Sequence, residues 1–363
     1  MTGSQPQNGT RSALLDAVRG VAILQVLIWH YWVPGFARSK LPGMHLLTAL
    51  LNLSWTGVDL FFVLSGFLIG GILIDHRQDA NLLSVFYGRR VLRILPLYAL
   101  VLVPFLLNGA DAAISYATFT QNVVWAAAGH WGPQWIGVTW SLAVEEQFYL
   151  VLPALIRLVP PARLPIVLLA LIALAPVARL LAWLGFGNPY ASYMLMPCRM
   201  DALFAGVIVA WLSRQPHMVR HLLHNTGPLR AVIGISGAGV LLLLTSGGEA
   251  LSPPLWSIGY TVIACFYAAL LLELTLRPPD LPSPIHLLGG FGLRAYGIYL
   301  LHRPVEIIVE RLIATGLLGL IAATGLTLIA AALSWRLIEQ PCISLGHRFF
   351  RYRRAIRAAP LPA

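Results

Sequence analysis

The stretch ALLDAVRGVAILQVLIWHYWV, Ala13 to Val33, decides how the rest of the chain is read. It is long and apolar enough to cross a bilayer, yet it carries Asp16, Arg19 and His30. At 100° per residue, the eleven steps from Arg19 to His30 return to within about 20° of one helix face, about 16 Å further along the axis. Asp16 falls within about 40° of the same face. One stripe of a membrane helix thus holds an acid, a guanidinium and an imidazole. Ionisable groups at this depth are costly and face a bundle interior or a wet cavity, so the stripe points inward.

The composition extends that reading to the whole chain. Of 363 residues, 58% are hydrophobic and 11% charged, far too apolar for a soluble domain of this size. The expected fold is all-α: a polytopic integral membrane protein with about ten transmembrane helices in one bundle. Apolar windows fall near 13-33, 50-74, 91-108, 138-158, 164-184, 198-213, 230-246, 254-275, 290-310 and 316-338. A polar tail, 1-12, has no clear small-residue cleavage site, so the first segment reads as a retained helix and not as a signal peptide. The membrane domain is expected over 13-341, followed by a basic tail over 342-363.

The net charge of +11 comes from 24 arginines and one lysine against 14 acids. With the amino terminus inside, Arg77, Arg89, Arg90, Arg93, Arg157, Arg163, Arg214, Arg220, Arg230, Arg277 and Arg294 fall on the cytoplasmic side. Only Arg38, Lys40, Arg199 and Arg311 fall near outer helix ends, and Arg348, Arg351, Arg353, Arg354 and Arg357 of the tail join the inner side. Both termini are therefore expected in the cytoplasm, in what reads as a bacterial inner membrane. The charge reports orientation and contact with membrane lipids; no nucleic-acid partner is expected in so apolar a chain. Cys198, Cys265 and Cys342 are scattered without a CxxC or Cys/His cluster, so neither a disulfide framework nor a metal site is expected. No GxGxxG, P-loop or HExxH occurs.

Further ionisable residues lie inside apolar windows: Asp59 in GVDLFFVLSG, Glu145 and Glu146 in WSLAVEEQFY, Arg199 and Asp201 in CRMDALFAG, and His302, Arg303 and Glu306 in IYLLHRPVE. One buried histidine is more often structural than catalytic. Several spans that each bring such groups point to an internal polar site. A neutral imidazole at His30 suits proton abstraction from an alcohol, and a carboxylate could fix its tautomer. Glu145 is the preferred partner, since it shares a helix face with Ser141 and Tyr149; the bland alternative is that it neutralises an arginine. Glu146 points about 100° away and suits a structural pair. In FYGRRVLRILPLY, Arg89, Arg90 and Arg93 suit phosphate, or else serve as a positive-inside anchor. Asp59 and Ser65 flank FFVL beside Gly57, Gly66, Gly70 and Gly71, which allow close approach of helices or of a thin ligand. The connection 108-137, with Trp125, Trp131 and Trp135, either lies along the outer interface or covers an outward pocket.

Seven motifs carry a resemblance. LDAVRGVAILQVLIWHYW, GVDLFFVLSGFLIGGIL, FYGRRVLRILPLY, WSLAVEEQFYLVLP, RMDALFAG, YGIYLLHRP and LIEQP resemble, in this order, the membrane-bound acyltransferase 3 family, from about Leu15 to Pro341. The resemblance implies a ten-helix domain that moves acyl groups, commonly acetyl, from cytoplasmic acyl-CoA to hydroxyls of glycans, lipid-linked sugars or related acceptors. The family's basic residue and histidine, ten residues between them, are met by Arg19 and His30. Its RxxR element is met by Arg90 and Arg93, and its SLxxE pattern by Ser141 and Glu145. On this reading His30, Glu145 and Arg19 are catalytic, and Arg89, Arg90, Arg93 and Ser65 hold the donor. Asp59, Trp140, Ser141, Tyr149 and His302 meet the acceptor. Acetyl-CoA is a substrate and no tightly bound cofactor is expected. The soluble extension of some family members is not expected, which leaves hand-off within the membrane domain or to a separate partner. Direct attack with His30 as base and an acyl-histidine intermediate are both open, and a small homo-oligomer is compatible. The competing classes are a transporter or flippase and an export scaffold, although no inverted repeat is visible.

Overall fold

Apolar runs in lipid satisfy their backbone groups internally, which favours helices. The computed structural model describes residues 5–38, 43–107, 109, 113–245, 247–277 and 284–353, and among these every regular element is helical. In chain order, α1 (Gln5–Leu27) continues through a π-helical turn (Ile28–Trp32) into α2 (Val33–Arg38). Next, α3 (Met44–Leu51) joins α4 (Gly57–Asp75) through a 3₁₀ turn (Asn52–Thr56), followed by α5 (Leu82–Leu107), α6 (Ala113–Ala117) and α7 (Gln121–Ala128). The middle of the chain holds α8 (Thr139–Leu158), α9 (Leu164–Phe186), α10 (Pro189–Met194), α11 (Met196–Leu212), α12 (Pro216–His224) and α13 (Gly227–Thr245). A second π turn (Leu255–Gly259) opens α14 (Tyr260–Leu276), and then come α15 (Pro284–Leu293), α16 (Ala295–Leu312) and α17 (Gly316–Ser334). A third π turn (Trp335–Glu339) leads into α18 (Gln340–Phe349). Lys40, Arg354, Arg357 and the joint at 278–283 lie outside the described residues.

Eight helical stretches are long and apolar enough to cross a membrane: Ala13–Arg38, Met44–Asp75, Leu82–Leu107, Leu164–Phe186, Pro189–Leu212, Gly227–Thr245, Leu255–Leu276 and Gly316–Phe349. The other two expected spans are helices α8, 20 residues, and α16, 18 residues, which fall short on apolarity. They carry the Glu145–Glu146 and His302–Arg303–Glu306 clusters.

The centre of the bundle is α4 against α11. Apolar all round, α4 buries residues on every face, as does α11. They meet backbone to backbone: a Cβ on Gly66 would lie 1.9 Å from the Leu203 carbonyl oxygen, and one on Gly206 2.0 Å from that of Val63. Helix α1 approaches α15 in the same way, where a Cβ on Gly20 would lie 2.0 Å from the Leu288 oxygen. At the rim, α13 buries only Leu229 and Ser236 and turns Ile235, 76% exposed, toward the lipid side.

Two ion pairs tie the centre together. Arg199 bonds to Asp59, and Arg179 bonds to Asp201 at 2.8 Å, all four residues fully buried. Arg199 also lies over the Tyr260 ring, 4.0 Å from its centroid. Arg179 donates further to Thr261 Oγ1 at 2.6 Å and to the Cys198 carbonyl at 2.9 Å. These contacts join α4, α9, α11 and α14. Arg199, expected near an outer helix end, therefore sits in the bundle interior.

Candidate active site

His30 stands in the π turn that ends α1. A π turn widens the helix locally and is frequent at functional sites; here it changes the register between Arg19 and His30 from that of a uniform helix. His30 opens onto a cavity of about 370 Å³ lined by Trp29, Trp55, Trp131, Trp140, Tyr193 and Arg303, among others. Trp131 comes from the connection between α7 and α8, so that segment covers a pocket, one of its two expected roles. Trp125 of the same connection is buried, its ring 6.1 Å from that of Tyr116.

Behind His30 lies His302 of α16, with ring centroids 4.9 Å apart and planes inclined at 44°. His302 is fully buried and is not on the cavity wall. Its Nδ1 lies 2.7 Å from the Tyr299 carbonyl oxygen, and its own carbonyl accepts from the Tyr31 hydroxyl at 2.5 Å. Tyr31 also meets Thr327 Oγ1 at 2.9 Å, which fastens α16 and α17 to the π turn. Arg303, on the cavity wall, is paired with Glu306.

A second cavity, about 260 Å³, is lined by Arg19, Arg90, Arg93, Ser65, Glu145 and Tyr149, among others. Arg19 bonds to Asp16 at 2.8 Å while still facing this cavity. Tyr149 donates to Glu145 Oε2 at 3.0 Å and bonds to the Ser65 hydroxyl. The Arg90 guanidinium lies 4.9 Å from the Tyr149 ring centroid. Three guanidinium groups around one carboxylate leave an excess of positive charge, a setting suited to phosphate.

The two cavities share Val58 and Tyr299 on their walls. Tyr299 donates to the Val138 carbonyl at 2.7 Å and lies 2.5 Å from Ser141 Oγ, so its ring is fixed where the cavities meet. Ser141 faces the arginine side and Trp140 the histidine side, because consecutive helix residues diverge by about 100°.

Several expected placements change. Glu145 lines the arginine cavity and bonds to Tyr149, whereas His30 lines the other; the carboxylate expected to orient His30 lies across the Tyr299 partition. Arg89 belongs to neither cavity wall. Its Nε and Nη2 donate to the Phe350 carbonyl at 3.0 and 2.8 Å, and its guanidinium lies 5.0 Å from the Tyr352 ring centroid. The extended segment after α18 is held there further by Asn81, which bonds to Arg351 and Arg353, and by a Tyr352–His76 stack at 3.6 Å. Asp59 is absent from both walls because Arg199 engages it in the bundle centre. Glu146, expected in a structural pair, has Oε1 buried without a hydrogen-bond partner. The residues that sequence reasoning missed are Tyr299 and Arg179. Tyr299 stands three before His302 on the same helix face, a spacing that could have flagged it; Arg179 is one arginine in a long apolar run.

The three cysteines are free, and no group of metal-ligating side chains occurs among the described residues. Residues 13–336 match a family model described as an acyltransferase domain. The chain belongs to the acyltransferase 3 family. This acyltransferase-family chain is 26% identical over 375 residues to the O-acetyltransferase OatA of Staphylococcus aureus (strain NCTC 8325 / PS 47), covering 93% of the chain and 58% of that protein. It is 28% identical over 384 residues to a Bacillus subtilis (strain 168) protein named "Putative peptidoglycan O-acetyltransferase YrhL", covering 93% and 56%. The acyltransferase-family chain thus spans little more than half the length of the curated relatives it matches. No solved structure matches it.

Proposed function

We propose that this chain is a membrane O-acyltransferase that moves an acetyl group from acetyl-CoA on the cytoplasmic side to a hydroxyl of a glycan or lipid-linked sugar. The observation that carries the reading is the pair of cavities meeting at Tyr299, one rich in arginine and the other holding His30 among tryptophans. Arg90 and Arg93 hold CoA phosphates, and Arg19 lies further along the pantetheine arm. The thioester then reaches the partition between the chambers. On the other side, Trp29, Trp55, Trp131 and Trp140 offer apolar faces against which a sugar ring stacks.

His30 takes the proton of the acceptor hydroxyl as its oxygen attacks the thioester carbonyl. Arg303, on the same wall, supplies positive charge for the oxyanion. The tetrahedral intermediate collapses with loss of the CoA thiolate, which takes the proton back from His30, leaving an ester and free CoA. Ser65, Tyr149 and Glu145 form a hydrogen-bonded unit that shapes the donor chamber. The proposed setting is a bacterial inner membrane with both termini cytoplasmic.

Incubation of the purified protein with labelled acetyl-CoA and candidate glycans tests this reading. Release of CoA that depends on acceptor and disappears in His30→Ala supports it. A carrier or scaffold would release none, and parental transfer by a properly inserted His30→Ala variant would overturn the base assignment.

A further inference from the structure

A general base needs a group that fixes its tautomer, and the carboxylate expected to do so lies in the other cavity. What faces His30 instead is His302. Its Nδ1 lies 2.7 Å from a carbonyl oxygen, which only accepts, so Nδ1 carries the proton. Nε2 of the neutral ring is then a bare lone pair. That atom is buried and has no hydrogen-bond partner, an expensive condition for an acceptor sealed from water.

The neighbouring donors are committed elsewhere. The Tyr31 hydroxyl donates to the His302 carbonyl, the Tyr299 hydroxyl to the Val138 carbonyl, and Arg303 Nη1 to Glu306. The remaining neighbour is the imidazole of His30, its centroid 4.9 Å away. With ring atoms about 1.2 Å from each centroid, that separation leaves room for one N–H···N bond of about 3 Å. Catalytic hydrogen bonds are often long or misaligned until substrate binds.

We infer that His302 is the positioning residue of this site: its Nε2 accepts a ring N–H of His30, leaving the other His30 nitrogen bare toward the tryptophan-lined cavity. The inference rests on the reading of His30 as the base. A chain then runs from the Tyr299 carbonyl through His302 to His30, anchored in the same residue whose hydroxyl stands between the cavities. His302 touches no substrate; it sets which His30 nitrogen does.

The test compares His302→Gln, whose side-chain carbonyl offers an acceptor near the position of Nε2, with His302→Phe, which offers none, beside His30→Ala. Acetyl-CoA and a labelled glycan acceptor are the probes, and kcat is separated from KM. The expected result is a kcat loss of about 100-fold or more in the Phe variant, with KM for acetyl-CoA unchanged and kcat of the Gln variant within about tenfold of the parent. A Phe variant with parental kcat, or a Gln variant impaired beyond about 100-fold, overturns the inference. The Gln arm decides alone if the Phe variant does not fold. Loss of activity in His30→Ala beside a fully active His302→Phe sinks only the positioning role, whereas an active His30→Ala sinks the base reading itself.

Discussion

The hydroxyl of Tyr299 donates to the carbonyl of Val138 at 2.7 Å, and this bond ties α16 to the start of α8 where the two cavities share a wall. A single phenol thus separates three arginines from an imidazole. Tyr299→Phe keeps the ring but loses a bond worth about 1 kcal/mol, so transfer is expected to fall by less than about tenfold. Tyr299→Ala removes the partition, and CoA release in the absence of acceptor is expected to rise above that of the parent. Measuring CoA release with and without acceptor checks both, and tight coupling in the Ala variant would show that the ring does not separate the chambers.

Charge reversal distinguishes the three neighbouring arginines. Arg90→Glu and Arg93→Glu each place an acid in the donor cavity and are expected to weaken acetyl-CoA binding by at least about tenfold. Arg89→Gln leaves affinity near that of the parent, because its guanidinium serves the Phe350 carbonyl. The same substitution should speed hydrogen exchange or proteolysis after α18. Isothermal titration with acetyl-CoA and exchange mass spectrometry read the two effects separately.

Asp59→Asn leaves Arg199 charged in the bundle interior with its carboxylate gone. Removing one partner of a buried pair costs about 3–5 kcal/mol in soluble proteins, and a marked drop in thermal midpoint is expected. The double variant Asp59→Asn with Arg199→Met should recover part of that loss, since no orphaned charge remains. Thermal unfolding in detergent checks this, and a double variant no better than the single one would count against the charge as the cause.

Gly206→Ala should damage folding more than its size suggests. The added Cβ would meet the Val63 carbonyl oxygen at 2.0 Å, a backbone atom that cannot swing aside. Gly185, with open space around its Cβ position, is the control and should accept alanine without loss of thermal stability. Midpoints of the two variants, measured side by side, decide whether the close approach of α4 and α11 limits the fold.

What the sequence makes legible follows from what fixes each feature. Apolar length and helical period place the spans, and the cost of burying Asp16, Arg19 and His30 marks the first helix as facing inward. Spacing within α8 correctly groups Ser141, Glu145 and Tyr149 on one cavity wall. The partner of His30 is a different kind of question. It depends on how deep one helix sits against another, and no periodicity encodes that depth; Glu145 and His30 accordingly end in separate chambers. Arg89 and Arg90 are adjacent in sequence yet diverge by about 100°, so one reaches the terminal segment and the other the cavity. Arg179 is legible only once Asp201 is known to need a counter-charge.

The π turn at Ile28–Trp32 gives the position of His30 an arithmetic basis. A π turn is an α-helix carrying one supernumerary residue. Deleting one residue between Leu24 and Leu27 would let the helix relax to its ordinary pitch, with hydropathy and membrane insertion intact. The imidazole would swing by about a quarter-turn or more, away from His302 and the tryptophan-lined wall. Alignments that close this position as a gap would therefore pair chains that look homologous along their length but hold their histidines on different faces.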